Sequence, residues 1–144
     1  MWILFRLMAS FCGVFGFSVM FNSPARLATM AALIGAVANT LRLELVDLAG
    51  MPPAVAAFIG ALTAGIFASL IKNKAGYPRI SLTVPSIVIM VPGLYLYRGI
   101  YNLGMMSLSV AASWFAAAIL IIAALPLGLI FARILTDRTF RYCT

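Results

Sequence analysis

The sequence predicts an all-α fold, a polytopic membrane helix bundle of about five transmembrane helices whose fourth is broken by proline and glycine. Three observations predict it. Of the 144 residues, 65% are hydrophobic, and the mean hydropathy is +1.13, whereas soluble domains are roughly half apolar. Only 9% are charged, too few to cover a soluble domain of this length. The apolar residues also fall in runs long enough to cross a bilayer, separated by short polar turns. Residues 1–144 therefore read as a single transmembrane domain with lipid as its outer phase.

The first run extends from Trp2 to Phe21, about 20 residues, enough for a ~30 Å hydrocarbon core. It lacks the basic leader and small-residue cleavage site of a removable signal. The turn Asn22-Ser23-Pro24 follows it, so it reads as a retained span. The second run, Leu27 to Leu41, is short for a span. It reaches span length only by continuing to Val46, with Arg42 and Glu44 near its end. The third runs from Pro53 to Ile71, Pro53 suiting a helix's first turn. The fourth, Ile80 to Tyr97, contains Pro85 and Pro92-Gly93. The fifth, Leu108 to Leu135, is the longest, and residues 136–144 form a polar tail.

Small residues recur every four positions in two of these runs: Ala28, Ala32, Ala36 and Thr40 in the second, Ala57, Ala61, Gly65 and Ser69 in the third. Each set shares one helix face, where missing bulk lets backbones approach closely. The pattern does not separate packing within the chain from self-association or contact with a partner.

Ten Lys and Arg face three acids, Glu44, Asp47 and Asp137, for a net charge of +7. The cations sit between apolar runs, with no basic and aromatic residues interleaved as a nucleic-acid platform requires. No nucleic-acid partner is expected; the bilayer is. Five spans place Arg26, Lys72, Lys74, Arg79, Arg133, Arg138 and Arg141 on one side and Arg6, Arg42 and Arg98 on the other. The positive-inside bias then puts the N-terminus outside and the C-terminus in the cytoplasm. A re-entrant fourth stretch would divide the cations equally, so five full spans account better for the charge.

Several chemistries are disfavoured. There is no histidine, which removes the commonest general base and metal ligand. Cys12 and Cys143 lie at opposite ends and read as unpaired thiols. No residue cluster suits metal binding or hydrolysis, and no glycine-rich phosphate loop is present. Neither a catalytic residue, nor a metal, nor a cofactor is expected, and an enzyme is not the reading.

The segment TVPSIVIMVPG, 83–93, carries the most functional information. Each proline removes a backbone N–H and frees the carbonyl four residues earlier. Glycine at 93 adds conformational latitude. Within a membrane an open backbone is tolerated where protein buries it or where it lines a water-filled cavity. Transporters use such breaks to present unpaired backbone groups to polar ligands, although proline also makes simple kinks. Candidate substrate-binding or gating residues are accordingly Thr83, Pro85, Pro92, Gly93, Tyr95, Arg98 and Asn102, with Asn39 and Arg42 from the second span. Tyr95, Tyr97, Arg98, Tyr101 and Asn102 suit an interfacial aromatic belt with a snorkelling arginine better than a substrate-facing role. Asn39, inside an apolar run, should face protein or water. Glu44 and Asp47, three apart, share a face if the helix continues, and are possible proton carriers. The competing reading puts them in an outer loop near Arg42.

At FNSPARL (21–27), GAVANTLR (35–42), GYPR (76–79) and TVPSIVIMVPGLYLY (83–97) the chain resembles the bacterial threonine/serine exporter family. More narrowly, it resembles the smaller membrane half that occurs as a separate chain. The resemblance covers about residues 10 to 135 and lies in the order and spacing of these motifs. It implies a multi-pass subunit of an inner-membrane exporter of small polar metabolites, threonine and serine or a dicarboxylate such as succinate. It further implies drive from the ion gradient and a second membrane half as hetero-oligomeric partner. A non-transporting scaffold for such a complex is the alternative.

Overall fold

Hydrocarbon offers the backbone no hydrogen-bond partner, so a chain this apolar must satisfy its amides internally, and helices do so segment by segment. The computed structural model describes residues 2–75 and 79–136, with side chains placed for 2–71 and 80–136. Among them there are helices and turns but no strand. The helices are α1 (Trp2–Met20), α2 (Ala25–Asp47), α3 (Pro53–Ala75), α4 (Arg79–Val88), α5 (Gly93–Gly104) and α6 (Leu108–Thr136). Five units are long and apolar enough to cross a membrane, with α4 and α5 forming one of them, Ile80–Gly104. The expected bundle with a broken fourth helix is the observed one. The side chains of Lys72, Lys74 and Arg79, residues 76–78 of the GYPR motif, and the tail with Asp137, Arg138, Arg141 and Cys143 lie outside the described residues.

Local chemistry sets the turns. After α1, Asn22 takes a left-handed backbone (φ 53°), a conformation asparagine tolerates better than most residues. The amide of Ser23 reaches back to the Ser18 carbonyl at 3.2 Å, and Pro24 prepares the entry to α2. Past α2, Gly50 at φ 61° closes the turn, and Pro52-Pro53 prevents the earlier helix from continuing while suiting the start of α3.

The alanine and glycine faces pack inside the chain. Ala57, Ala61, Ala64 and Ala68 of α3 are fully buried, as are Ala28, Ala31, Ala32 and Ala36 of α2. α3 lies most extensively against α6. There a Cβ placed on Gly128 would come within 2.6 Å of the Phe58 carbonyl oxygen, so only glycine permits this spacing. α2 meets α1 and α4 in the same way: a Cβ on Gly35 would lie 2.6 Å from Val14 and 3.1 Å from the Ser86 backbone. Outward, Leu33, Phe67, Ile119, Leu120 and Phe131 are exposed, the surface a lipid-solvated bundle presents.

Two polar contacts tie the helices together. The Asn39 amide donates to Ser10 Oγ at 2.9 Å, joining α2 to α1. Ser86 Oγ shares its one hydroxyl hydrogen between the carbonyls of Ala31, at 2.9 Å, and Leu82, at 2.7 Å, joining α4 to α2.

Candidate functional site at the broken fourth span

The two prolines of the fourth span behave differently. Pro85 sits inside α4, which continues to Val88. At Pro92 the backbone leaves helical geometry, with φ −79° and ψ 51°. Here the Met90 amide bonds to Ile87 at 2.9 Å, that of Val91 to Val88 at 3.2 Å, and that of Gly93 to Val91 at 2.8 Å. The ladder is thus pulled into tight turns. Gly93 begins α5 without a positive φ, so proline rather than glycine latitude makes the opening. The amide of Leu94, which an unbroken helix would direct to the Met90 carbonyl, makes no such bond.

That carbonyl is taken instead by a side chain 48 residues away. Arg42 Nη1 donates to Met90 O at 3.1 Å. Arg42 is 9% exposed, and its buried Nε–H has no partner. α3 makes room for the junction at Gly60, where a Cβ would stand 3.2 Å from Arg42 Cβ and 3.4 Å from Met90 Sδ.

A cavity of ≈ 300 Å³ opens beside this junction. Asn39 and Arg42 of α2 line one side, Pro92, Leu94 and Tyr95 the other. Tyr95 leans on Trp114 of α6, with ring centroids 5.6 Å apart. The Arg98 guanidinium covers the same indole at 4.9 Å, a cation–π arrangement. Of the residues singled out in the sequence, the fold gathers Asn39, Arg42, Pro92 and Tyr95 around one cavity.

The others lie elsewhere. Thr83 is buried and lines a second cavity of ≈ 190 Å³ with Gly65 and Arg133, toward the far end of the bundle. Pro85 borders the α1–α2 turn. Asn102 donates to the carbonyl of Arg98 at 2.7 Å, within its own helix. Tyr97 and Tyr101 are exposed and stacked 6.5 Å apart on α5. Glu44 and Asp47 stand on α2 rather than in a loop, and both are ion-paired to Arg6 of α1, Glu44 at 3.2 Å.

Four participants were not foreseen: Ser10, Gly60, Trp114 and the Met90 carbonyl. Ser10 had a faint signal as a hydroxyl in an apolar run, but a backbone carbonyl has none.

A polar break and a buried cation thus border a half-open cavity. Residues 6–135 match the family described as Threonine/Serine exporter, ThrE. The chain belongs to the threonine/serine exporter family. No curated protein and no solved structure matches it. Membership in the exporter family, together with five apolar helices, makes this a multi-pass membrane protein with a role in transport. The exporter family assignment also favours transport over catalysis for the cavity.

Proposed function

We propose that this chain is the smaller membrane half of a two-part exporter that moves small polar metabolites out across the bacterial inner membrane. Threonine, serine and dicarboxylates such as succinate are the substrates in view, and the ion gradient supplies the drive. The N-terminus faces outward and the C-terminus the cytoplasm, as the distribution of Lys and Arg favours. The observation that carries this reading is the opened fourth span, its freed Met90 carbonyl held by buried Arg42 at the edge of a cavity. Interrupted backbone at membrane depth is tolerated where protein buries it or where it lines a water-filled cavity, and transporters use such breaks to hold polar substrates.

A second membrane chain fits the charge inventory. The carboxylates described in the spans, Glu44 and Asp47, are engaged by Arg6. With both held in ion pairs, the carboxylate for ion coupling belongs more naturally to a partner. A scaffold role is the competing reading, and one substitution pair separates the two. A Cβ at Gly93 would meet nothing within 4 Å, so Pro92→Ala with Gly93→Leu should restore helical hydrogen bonding without a clash. Efflux of threonine, serine and succinate from cells carrying this variant should then collapse, while a second membrane chain still copurifies in mild detergent. Unchanged efflux with assembly intact would leave only the scaffold.

A further inference from the structure

Arg42 differs from every other described cation of the chain. Arg6 is matched by two carboxylates and Arg98 by the face of Trp114. Arg26 and Arg133 lie near the helix ends, where long cationic side chains reach the interface. Arg42 is more than nine-tenths buried and faces a neutral carbonyl, with no described carboxylate in ion-pair range. A guanidinium presents five N–H donors in a planar fork suited to carboxylates. Met90 takes one of them, and the buried Nε–H is unused.

A second feature converges on the same cavity. α5 is 12 residues long, and its first turn supplies part of the wall through Leu94 and Tyr95. The amides of both residues lack intrahelical acceptors by position, and neither bonds to another backbone group. Together with the helix dipole they favour negative charge. The cavity lining includes Asn39 and Tyr95 as further polar groups, and no Asp or Glu.

We propose that this cavity is a carboxylate-binding subsite. Arg42 receives the carboxylate through guanidinium donors that Met90 does not use, and the first turn of α5 supports it with backbone amides. The ligand is a small organic acid. An ammonium group on the same ligand finds no anionic partner in this cavity and must be met by another chain. Because Arg42 also holds Met90 O, a bound carboxylate lies beside the contact that ties α2 to the opened fourth span. This deepens the exporter reading, since it names the group by which the substrate of that cavity is held.

The test uses the full chain in mild detergent, with Trp2→Phe leaving Trp114 as the sole tryptophan of this chain. Trp114 packs on Tyr95 in the cavity wall and reports occupancy. A W2F/W114F variant supplies the background. Acetate, L-threonine and succinate are titrated at constant ionic strength beside acetamide, L-threoninamide and succinamide. At least one acid should shift the emission while its amide does not, and Arg42→Gln should weaken that response about 30-fold, the usual worth of a charge-assisted bond. Arg42→Lys, which keeps the charge but loses the fork, should fall between. A response to an amide equal to that of its acid, no response to any acid, or an undiminished response in Arg42→Gln overturns the subsite. Should Arg42→Gln not fold, phenylglyoxal labelling of the unaltered chain decides. The responding acid must protect the Arg42 peptide where its amide does not, and equal protection overturns the proposal. The two readings fail separately. Loss of efflux in the Pro92, Gly93 variant without carboxylate binding removes the subsite and keeps the exporter. Carboxylate binding with efflux unaffected does the reverse.

Discussion

The seam between α3 and α6 and the seam between α2 and the broken α4–α5 span solve the same problem with opposite means. Between α3 and α6, Gly128 lets the backbones approach closely, and Phe58 meets Phe131 edge to face at 5.8 Å beside it. No hydrogen bond described between side chains crosses it, so dispersion at close range holds it. Between α2 and the fourth span the contacts are polar: Ser86 to Ala31, Arg42 to Met90, with a cavity beside them. The first seam is closely packed around Gly128, with a cavity only toward Gly65 and Arg133. The second is interrupted and is held by a few directional bonds. The difference lies in what each seam relies on, close packing in one and directional bonds in the other.

That comparison can be broken in graded steps. The largest effect should come from Gly128→Leu, which forces a side chain into the Phe58 carbonyl. Overpacking of this kind destabilises by about 3 kcal/mol, read as a lowered melting temperature in detergent and loss of membrane-inserted chain. A melting temperature within error of the parent would show the α3–α6 seam to be pliant after all. Arg42→Met should leave the fold near its parental stability, because an apolar chain of similar length removes the desolvated charge along with its bond. Efflux should nevertheless drop by at least about tenfold, equivalent to ~1.4 kcal/mol. Retained efflux would mean that the polar seam does not serve transport.

Smaller effects sharpen the picture. A double-mutant cycle on Asn39→Ala and Ser10→Ala should give a coupling of about 0.6 kcal/mol, the usual size for a hydrogen bond between membrane helices. A coupling near zero would indicate that the α1–α2 contact is held by packing alone. The smallest change is expected for Arg6→Gln, a loss below that of Asn39→Ala and diminished further by salt, since solvent-accessible ion pairs contribute little. A loss several times larger would mark that pair as a structural anchor.

Much of the fold was legible in the sequence because lipid demands uninterrupted apolar runs, and α1, α3 and α6 are such runs. α2 was harder to read. Hydropathy sees Arg42 and Glu44 as polar punctuation, yet α2 continues to Asp47. One charge rests on a carbonyl and the other on Arg6 of a different helix, and neither partner is visible from local sequence. The fourth span shows the same limit. Pro85 and Pro92 both delete an amide, but only Pro92 opens the helix, while Ser86 beside Pro85 is bonded to Ala31 of α2. Of the site, the side chains Asn39, Arg42 and Tyr95 could be named from residue type and position. The Met90 carbonyl could not, because every residue has one and only tertiary structure selects it. Thr83 and Asn102 were equally plausible by type and were carried elsewhere by helical phase.

The matching of Arg6 with Glu44 and Asp47 has a consequence for biogenesis. These three residues meet at one end of the first hairpin, on helices joined by a four-residue turn at 21–24. An arginine near the beginning of an isolated α1, or two carboxylates near the close of an isolated α2, would each burden partitioning from the translocon into lipid. Paired across the hairpin, the charges shield one another. The two segments are therefore suited to leave the ribosome-bound channel together, as a pre-matched unit onto which the later helices are laid.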